Sequence, residues 1–216
     1  MFRDREDAAH QLAKKLKGRT LRDPLVLAIP RGGVVTGAVL ARDLGADLDV
    51  VLSRKLRAPE SPEFAVGAIS ENGQVYLNPD VSGMVDYMKD YLAEEQAHQL
   101  AEIARRKKLF REACPQAPVA DRSVIVTDDG IATGSTMIAA LQGLKAQGPH
   151  EIIVAVPVAP PERLIEVRRW CDDLVCLHSP KQFWAIGQFY FDFSPVEDEE
   201  AVAILREFAP AAWATH

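Results

Sequence analysis

The feature that most constrains this chain is a repeated unit: a short apolar run ends in a polar or glycine-bearing loop and leads into a helical pattern. PLVLAIP (24–30), DVVLSRK (49–55), SVIVTDD (123–129) and EIIVAVPVA (151–159) are such runs, and a further one is DLVCLHS. Runs this short and this continuously apolar read as strands buried on both faces. Between them, GGVVTGAVLARDLG sets Val35, Val39 and Leu40 at helical spacing before Gly45, while STMIAALQGLKAQG closes at Gly148 and PERLIEVRRW follows later. Strands alternating with helices predict an α/β fold, a mostly parallel sheet flanked by helices on both faces. At 216 residues the chain is expected to form a single domain, 1–216, around one core.

One stretch breaks the alternation. LRAPESPEF holds two prolines and few apolar residues and reads as a loop, while FAVGAIS and QVYLN flank the turn residues ENG as a hairpin. A long helical pattern then runs from Asp80 to Glu112, with Met88, Leu92, Leu100, Ile103 and Phe110 on one side. Acids at its start and RRKKLFR at its end suit the helix dipole, and the basic cluster reads as a solvated helix end rather than an RNA site. Residues 56–112 are therefore expected to be a small hood made of a lid loop (56–75), the hairpin and the long helix. Residues 178–216 close the chain with the aromatic-rich FWAIGQFYFDF and a short helix from Glu197 to Phe208.

Composition narrows the partners. A net charge of -6 argues against a general nucleic-acid binder, which needs a basic face to displace counterions. The start MFRDREDAAHQLAKKL has no apolar signal core, and no apolar run approaches the ~20 residues of a membrane span, so a cytoplasmic location with no membrane partner is expected. The three cysteines, Cys114, Cys171 and Cys176, lack metal-type pairing and read as reduced structural thiols.

Ligands of open parallel sheets sit at the carboxyl ends of the strands. Three strand ends here carry unusual residues. In VIVTDDGIATGSTM (124–137) the run VIVT is the strand, and STMIAAL opens a helix whose free amides and dipole favour an anion. Gly134 allows close approach, and Thr133, Ser135 and Thr136 add hydroxyls. Asp128 and Asp129 repel phosphate and call for a hydroxyl-bearing partner or a divalent cation, which a sugar phosphate with its metal would satisfy; the plainer alternative is a turn and helix-cap pair. In IPRGGV, Gly32 and Gly33 form either a tight turn or an anion loop to which Arg31 adds charge. In VVLSRKLRAP, Arg54 and Lys55 end a strand expected beside the first one.

VIVTDDGIATGSTM resembles the phosphoribosyl-pyrophosphate (PRPP) motif of the type I phosphoribosyltransferases, and the element order over residues 24–193 agrees with that Rossmann-like fold. The resemblance implies that Asp128 and Asp129 hold the ribose hydroxyls, directly or through Mg2+, as the catalytic acids. It implies that Ala132, Thr133, Gly134, Ser135 and Thr136 wrap the 5′-phosphate. It also makes Arg31, Gly32 and Gly33 the pyrophosphate loop, with a non-proline cis peptide between Pro30 and Arg31, and lets Arg54 and Lys55 meet the pyrophosphate beneath the lid. The C-terminal aromatic run is either a core patch or a base side. As a base side it resembles the hypoxanthine-guanine enzymes, with Phe183 and Trp184 at the base, Trp184 as the stacking ring, and Asp192 as a further metal ligand.

Two departures matter. Gly187 to Asp192 is one residue longer than that pattern, and Ala132 stands where the 6-oxopurine enzymes carry an aspartate that exchanges a proton with the base. The expected activity is transfer of phosphoribosyl from PRPP, with Mg2+, to a nitrogenous base or similar acceptor with loss of pyrophosphate. The alternative is a non-catalytic PRPP or nucleotide sensor on the same fold. A homodimer is the one macromolecular partner considered beyond these small molecules, and the long helix from Asp80 to Glu112 packs either on its own core or on a partner subunit.

Overall fold

The computed structural model describes residues 1–59, 61–78, 83 and 86–209. Five parallel strands form the central sheet: β1 (Leu25–Ala28), β2 (Asp47–Val50), β6 (Ser123–Thr127), β7 (Glu151–Val158) and β8 (Asp173–His178), in the order β2-β1-β6-β7-β8. Leu25 to Ala28 pair with Asp47 to Val50 on one side and Val124 to Thr127 on the other. The chain winds outward to β2 in one direction and from β6 through β8 in the other. The crevice above β1 and β6 is thus the topological switch point where open α/β sheets bind ligands.

Both faces of the sheet are covered, which is why its strands read as unbroken apolar runs. One layer holds α1 (Arg5–Leu16) and α2 (Gly32–Leu44), with Leu12, Leu16, Ala38 and Leu40 packed on Val26, Ile125 and Ile153. The opposite layer holds α4 (Ser135–Lys145) and α5 (Pro161–Val167), with Ile138, Leu141 and Leu144 packed on Leu27, Val124 and Val154. Gly45 ends α2 at φ 63, a left-handed stop that suits glycine.

The hood is a second sheet, β3 (Ser53–Ala58), β4 (Ser61–Ser70) and β5 (Val75–Leu77), antiparallel throughout and followed by the long helix α3 (Lys89–Ala113). The predicted hairpin is present, with Ile69 opposite Val75 and Gly67 opposite Leu77. DVVLSRK is not one strand: β2 stops at Val50, and after Val51 and Leu52 the chain enters β3 in the other sheet. The unbroken apolar pattern hides the break, because Val51 and Leu52 are buried in the passage between the sheets. The expected lid loop is largely strand as well. Antiparallel pairing of β3 with β4, interrupted by register shifts about Arg57, orders most of that segment.

The long helix begins later than expected, at Lys89, after a 3₁₀ turn over Asp86–Met88; Asp80, Val81 and Ser82 lie outside the described residues. It packs on its own chain, with Leu92, Ile103 and Phe110 in the same apolar cluster as Leu56 and Ile69 of the hood and Leu205 of α6 (Asp198–Glu207). Glu197 and Asp198, at the start of α6, reach two parts of the molecule. Glu197 Oε2 accepts from Arg31 Nη1 at 2.7 Å, while Asp198 pairs with Arg105 at 3.5 Å and Arg106 at 3.6 Å on α3. Among the described residues, no helix is long and apolar enough to cross a membrane.

Candidate active site

The cradle forms where β6 ends. Its last residue, Thr127, donates its hydroxyl to the Ala155 carbonyl at 2.7 Å, and the Ile131 amide donates to the Val158 carbonyl at 2.8 Å, so β7 holds both ends of the DDGI loop. Gly134 then turns the chain at φ 80 into α4, whose start no side chain caps. The opening amides of α4 thus have no side-chain cap, the arrangement that favours an anion at a helix start. A cleft of about 120 Å³ opens here, lined by Lys55, Asp128, Gly130, Ala132, Thr133, Gly134, Thr136 and Ile186. Ser135, expected in the same cradle, is buried in the first turn of α4.

The two acids have different surroundings. Asp128 faces the cleft, and its Oδ1 accepts from the Asp129 amide at 2.8 Å. Asp129 points the other way, where Oδ2 accepts from Arg5 Nε at 2.8 Å, while its carbonyl accepts from the Tyr190 hydroxyl at 2.6 Å. Burial pushes the Asp128 carboxyl well above the ordinary range, and the charge of Asp129 adds to that. Burial raises Asp129 too, against the opposing pull of Arg5. The same burial lifts the Tyr190 phenol, keeping it a neutral donor.

The glycine loop closes on these acids from β1. The Pro30–Arg31 peptide is cis, and Gly32 and Gly33 open α2. A Cβ on Gly33 would lie 3.0 Å from the Asp128 Cα, so glycine is what lets the loop and the acid pair share one wall. Arg31 turns outward to Glu197.

Arg54 and Lys55 require a correction. They sit on β3 of the hood rather than on a strand beside β1, and as consecutive strand residues they face opposite ways. Lys55 lines the cleft. Arg54 instead donates through Nε to Gln99 Oε1 of α3 at 2.7 Å, with burial lowering its pKa.

On the C-terminal side, the ring of Phe183 packs at 5.2 Å from that of Phe189 in an apolar cluster with Phe2 and Tyr190. Trp184 is 88% exposed and leaves a free ring face beside this cluster. Asp192 Oδ1 accepts from the amide and hydroxyl of Ser194, at 3.0 and 2.6 Å. Among the described residues no three His, Cys, Asp or Glu side chains group to hold a metal.

The sequence reading missed Arg5 and Tyr190. One signal was available for Arg5: it occupies the first position of α1, where a cation opposes the helix dipole and so implies an outside partner. That partner is Asp129. Phe2 joins the same assembly, its amide donating to the Phe189 carbonyl at 2.8 Å while its carbonyl accepts from the Phe191 amide at 2.9 Å.

The switch-point crevice and its acid-bearing loop define an α/β protein whose functional face lies between the parallel sheet and an antiparallel hood. The chain belongs to the phosphoribosyl transferase domain family, which it matches over residues 3–194. It is 39% identical over 215 residues to a provisionally named phosphoribosyl transferase of Mycobacterium tuberculosis, covering 98% of this chain and 48% of that one. The chain thus spans about half the length of the curated relatives it matches. The crystal structure of the protein TT1426 from Thermus thermophilus is similar throughout, with a TM-score of 0.82 and 43% identity over 97% of this chain and 99% of that one. A shorter likeness, 39% over 56 residues, links 26% of the chain to 27% of a Clostridioides difficile uracil phosphoribosyltransferase.

Proposed function

We propose that this protein transfers the phosphoribosyl group of PRPP, with Mg2+, to a nitrogenous acceptor and releases pyrophosphate. The observation that carries the reading is the convergence of three parts on one cleft: the uncapped start of α4, the Asp128 carboxylate and the Lys55 ammonium. An anion, a hydroxylated ring and a second anion each find a matching group there.

The acid pair suits a hard divalent cation, since Mg2+ is ordinarily held by one or two carboxylates together with substrate phosphate oxygens and water. Asp128 would hold it at the cleft, with Asp129 kept beside it by Arg5, and when bound it would neutralise the charge of the pyrophosphate as that group leaves. The amides from Thr133 to Thr136 bind the 5′-phosphate and orient the ribose. Asp128 accepts from ribose hydroxyls, and Lys55 with the amides of Gly32 and Gly33 meets the pyrophosphate. The bond from the anomeric carbon to pyrophosphate breaks with its electron pair leaving on oxygen, and a ring or amine nitrogen forms the new bond from the opposite face. The proton of that nitrogen passes to the departing pyrophosphate or to water, because Ala132 offers no ionisable group. This disfavours hypoxanthine and guanine as acceptors. The protein's contribution is position and charge stabilisation.

The test is pyrophosphate release from magnesium-PRPP against a panel of purines, pyrimidines and simple amines, with Asp128→Asn/Asp129→Asn as the control. Release with one acceptor, lost in the control, supports transfer. PRPP binding by calorimetry without release from any acceptor would replace the transferase with a PRPP sensor.

A further inference from the structure

We propose that Arg5 is a positioning residue: it fixes the Asp129 carboxylate, so that Asp128 alone is presented to the ligand. The proposal rests on the phosphoribosyl reading for the identity of the ligand, though not for the division between the acids. Four observations carry it. The Arg5–Asp129 pair is 2.8 Å long, with side chains only 10% and 12% exposed. The Arg5 guanidinium is itself held, lying 3.9 Å from the centroid of the Phe193 ring and donating through Nη1 to the Ser194 carbonyl at 2.8 Å. Asp129 is held on two further sides, because Gly32 packs where any Cβ would strike its carboxylate and the Tyr190 hydroxyl donates to its backbone carbonyl at 2.6 Å. Asp128 lines the cleft, and Asp129 is absent from that lining.

Adjacent buried carboxylates repel unless a cation answers one of them. Arg5 supplies that cation from within the fold, so the site is assembled before ligand arrives and spends no binding energy on ordering Asp129. Arg5 also spans the molecule, because the segment it grips, residues 193–194, continues from the one that pairs with Phe2. The roles of the two acids are therefore unequal: Asp128 receives the ligand, and Asp129 keeps the glycine loop and the N-terminal arm in register with it.

Arg5→Gln, Arg5→Lys, Asp128→Asn, Asp129→Asn and Arg5→Gln/Asp129→Asn, with wild type, form the test panel. Mn2+ binding to the free protein, by water-proton relaxation, and magnesium-PRPP binding, by calorimetry, are the two readouts. Removing the competing guanidinium should tighten Mn2+ several-fold in Arg5→Gln while weakening PRPP about tenfold, with Arg5→Lys between Arg5→Gln and wild type. The double variant should bind PRPP no more weakly than Arg5→Gln alone, because both changes break one pair. A purely structural strap would lower the unfolding midpoint and leave both affinities as in wild type, which would overturn the proposal. So would Asp129→Asn weakening Mn2+ as much as Asp128→Asn. Should wild type bind no PRPP, the phosphoribosyl reading fails, and the Mn2+ series alone decides for or against the Arg5–Asp129 pairing. Should Arg5→Gln not fold, Arg5→Lys carries the comparison, and wild-type affinities in it overturn the proposal.

Discussion

Gly32 and Asp129 touch so closely that a Cβ built on Gly32 would lie 1.9 Å from Asp129 Oδ2 and 2.9 Å from Arg5 Nε. Asp129 cannot yield, being pinned by Arg5, so Gly32→Ala forces the glycine loop away from the acids. Such overpacking is expected to cost about 1–3 kcal/mol in urea unfolding, together with loss of PRPP binding by calorimetry. Wild-type stability and affinity in the alanine variant would show that the loop has slack.

Lys55 and Arg54 are adjacent in sequence and should separate by experiment. Lys55→Met removes a charge from the cleft and is expected to weaken PRPP about tenfold with an unchanged melting temperature. Arg54→Met removes the donor to Gln99 Oε1, leaving Gln99 only its bond to Glu95, and is expected to cost about 1 kcal/mol of stability while leaving PRPP affinity near wild type. Calorimetry and thermal unfolding on the two variants distinguish these roles.

Glu95 gives the hood an acid-sensitive joint. Burial raises its carboxyl, but hydrogen bonds from Arg57 at 2.9 Å and from Gln99 at 2.9 Å outweigh that and hold it below the ordinary range. A carboxyl depressed in the folded state stabilises it above the unfolded value of about 4.3, and that contribution is lost as pH falls through the lower, folded value. Urea unfolding at pH 6 and at successively lower pH should therefore fall more steeply for wild type than for Glu95→Gln. Parallel slopes would count against this joint.

Phe183 and Trp184 should also part company. Phe183→Ala removes a ring from the Phe189 cluster and is expected to cost about 1–3 kcal/mol, less than a fully buried ring because Phe183 is only half-buried. Trp184→Ala, at an exposed ring, should leave unfolding unchanged and raise the acceptor KM about tenfold if bases stack there. Steady-state kinetics on the acceptor found active, with unfolding curves for both variants, checks the pair.

Much of the parallel sheet was legible because β1, β6 and β7 are buried on both faces and carry apolar residues without interruption. The acid pair and the glycine-to-helix turn were legible for the same reason: they follow such a strand directly. What escaped notice depends on contacts distant in sequence. Arg5 meets Asp129 across 124 positions, and nothing near Arg5 names that partner. Helix α1 buries Ala8, Ala9 and Ala13 with Leu12 and Leu16, a face too rich in alanine to stand out as an apolar stripe. The change of sheet at Val51 and Leu52 was hidden because buried linkers and buried strands use the same residues. The opposite facing of Arg54 and Lys55 became readable only once β3 was known to be a strand of the hood.

The start of α6 works as a fastening. Glu197 meets Arg31 beside the glycine loop, and Asp198 meets Arg105 and Arg106 on the hood helix, so two neighbouring carboxylates bolt the parallel core to its cover. The exposed Arg31–Glu197 pair weakens as salt shortens the Debye length to about 3 Å at 1 M, whereas the largely shielded Arg106–Asp198 pair is screened far less and apolar contacts such as that of Leu205 strengthen in salts excluded from protein surfaces. Of the two bolts, the one at the glycine loop is therefore open to ionic strength, while the one on the hood helix is sheltered from it.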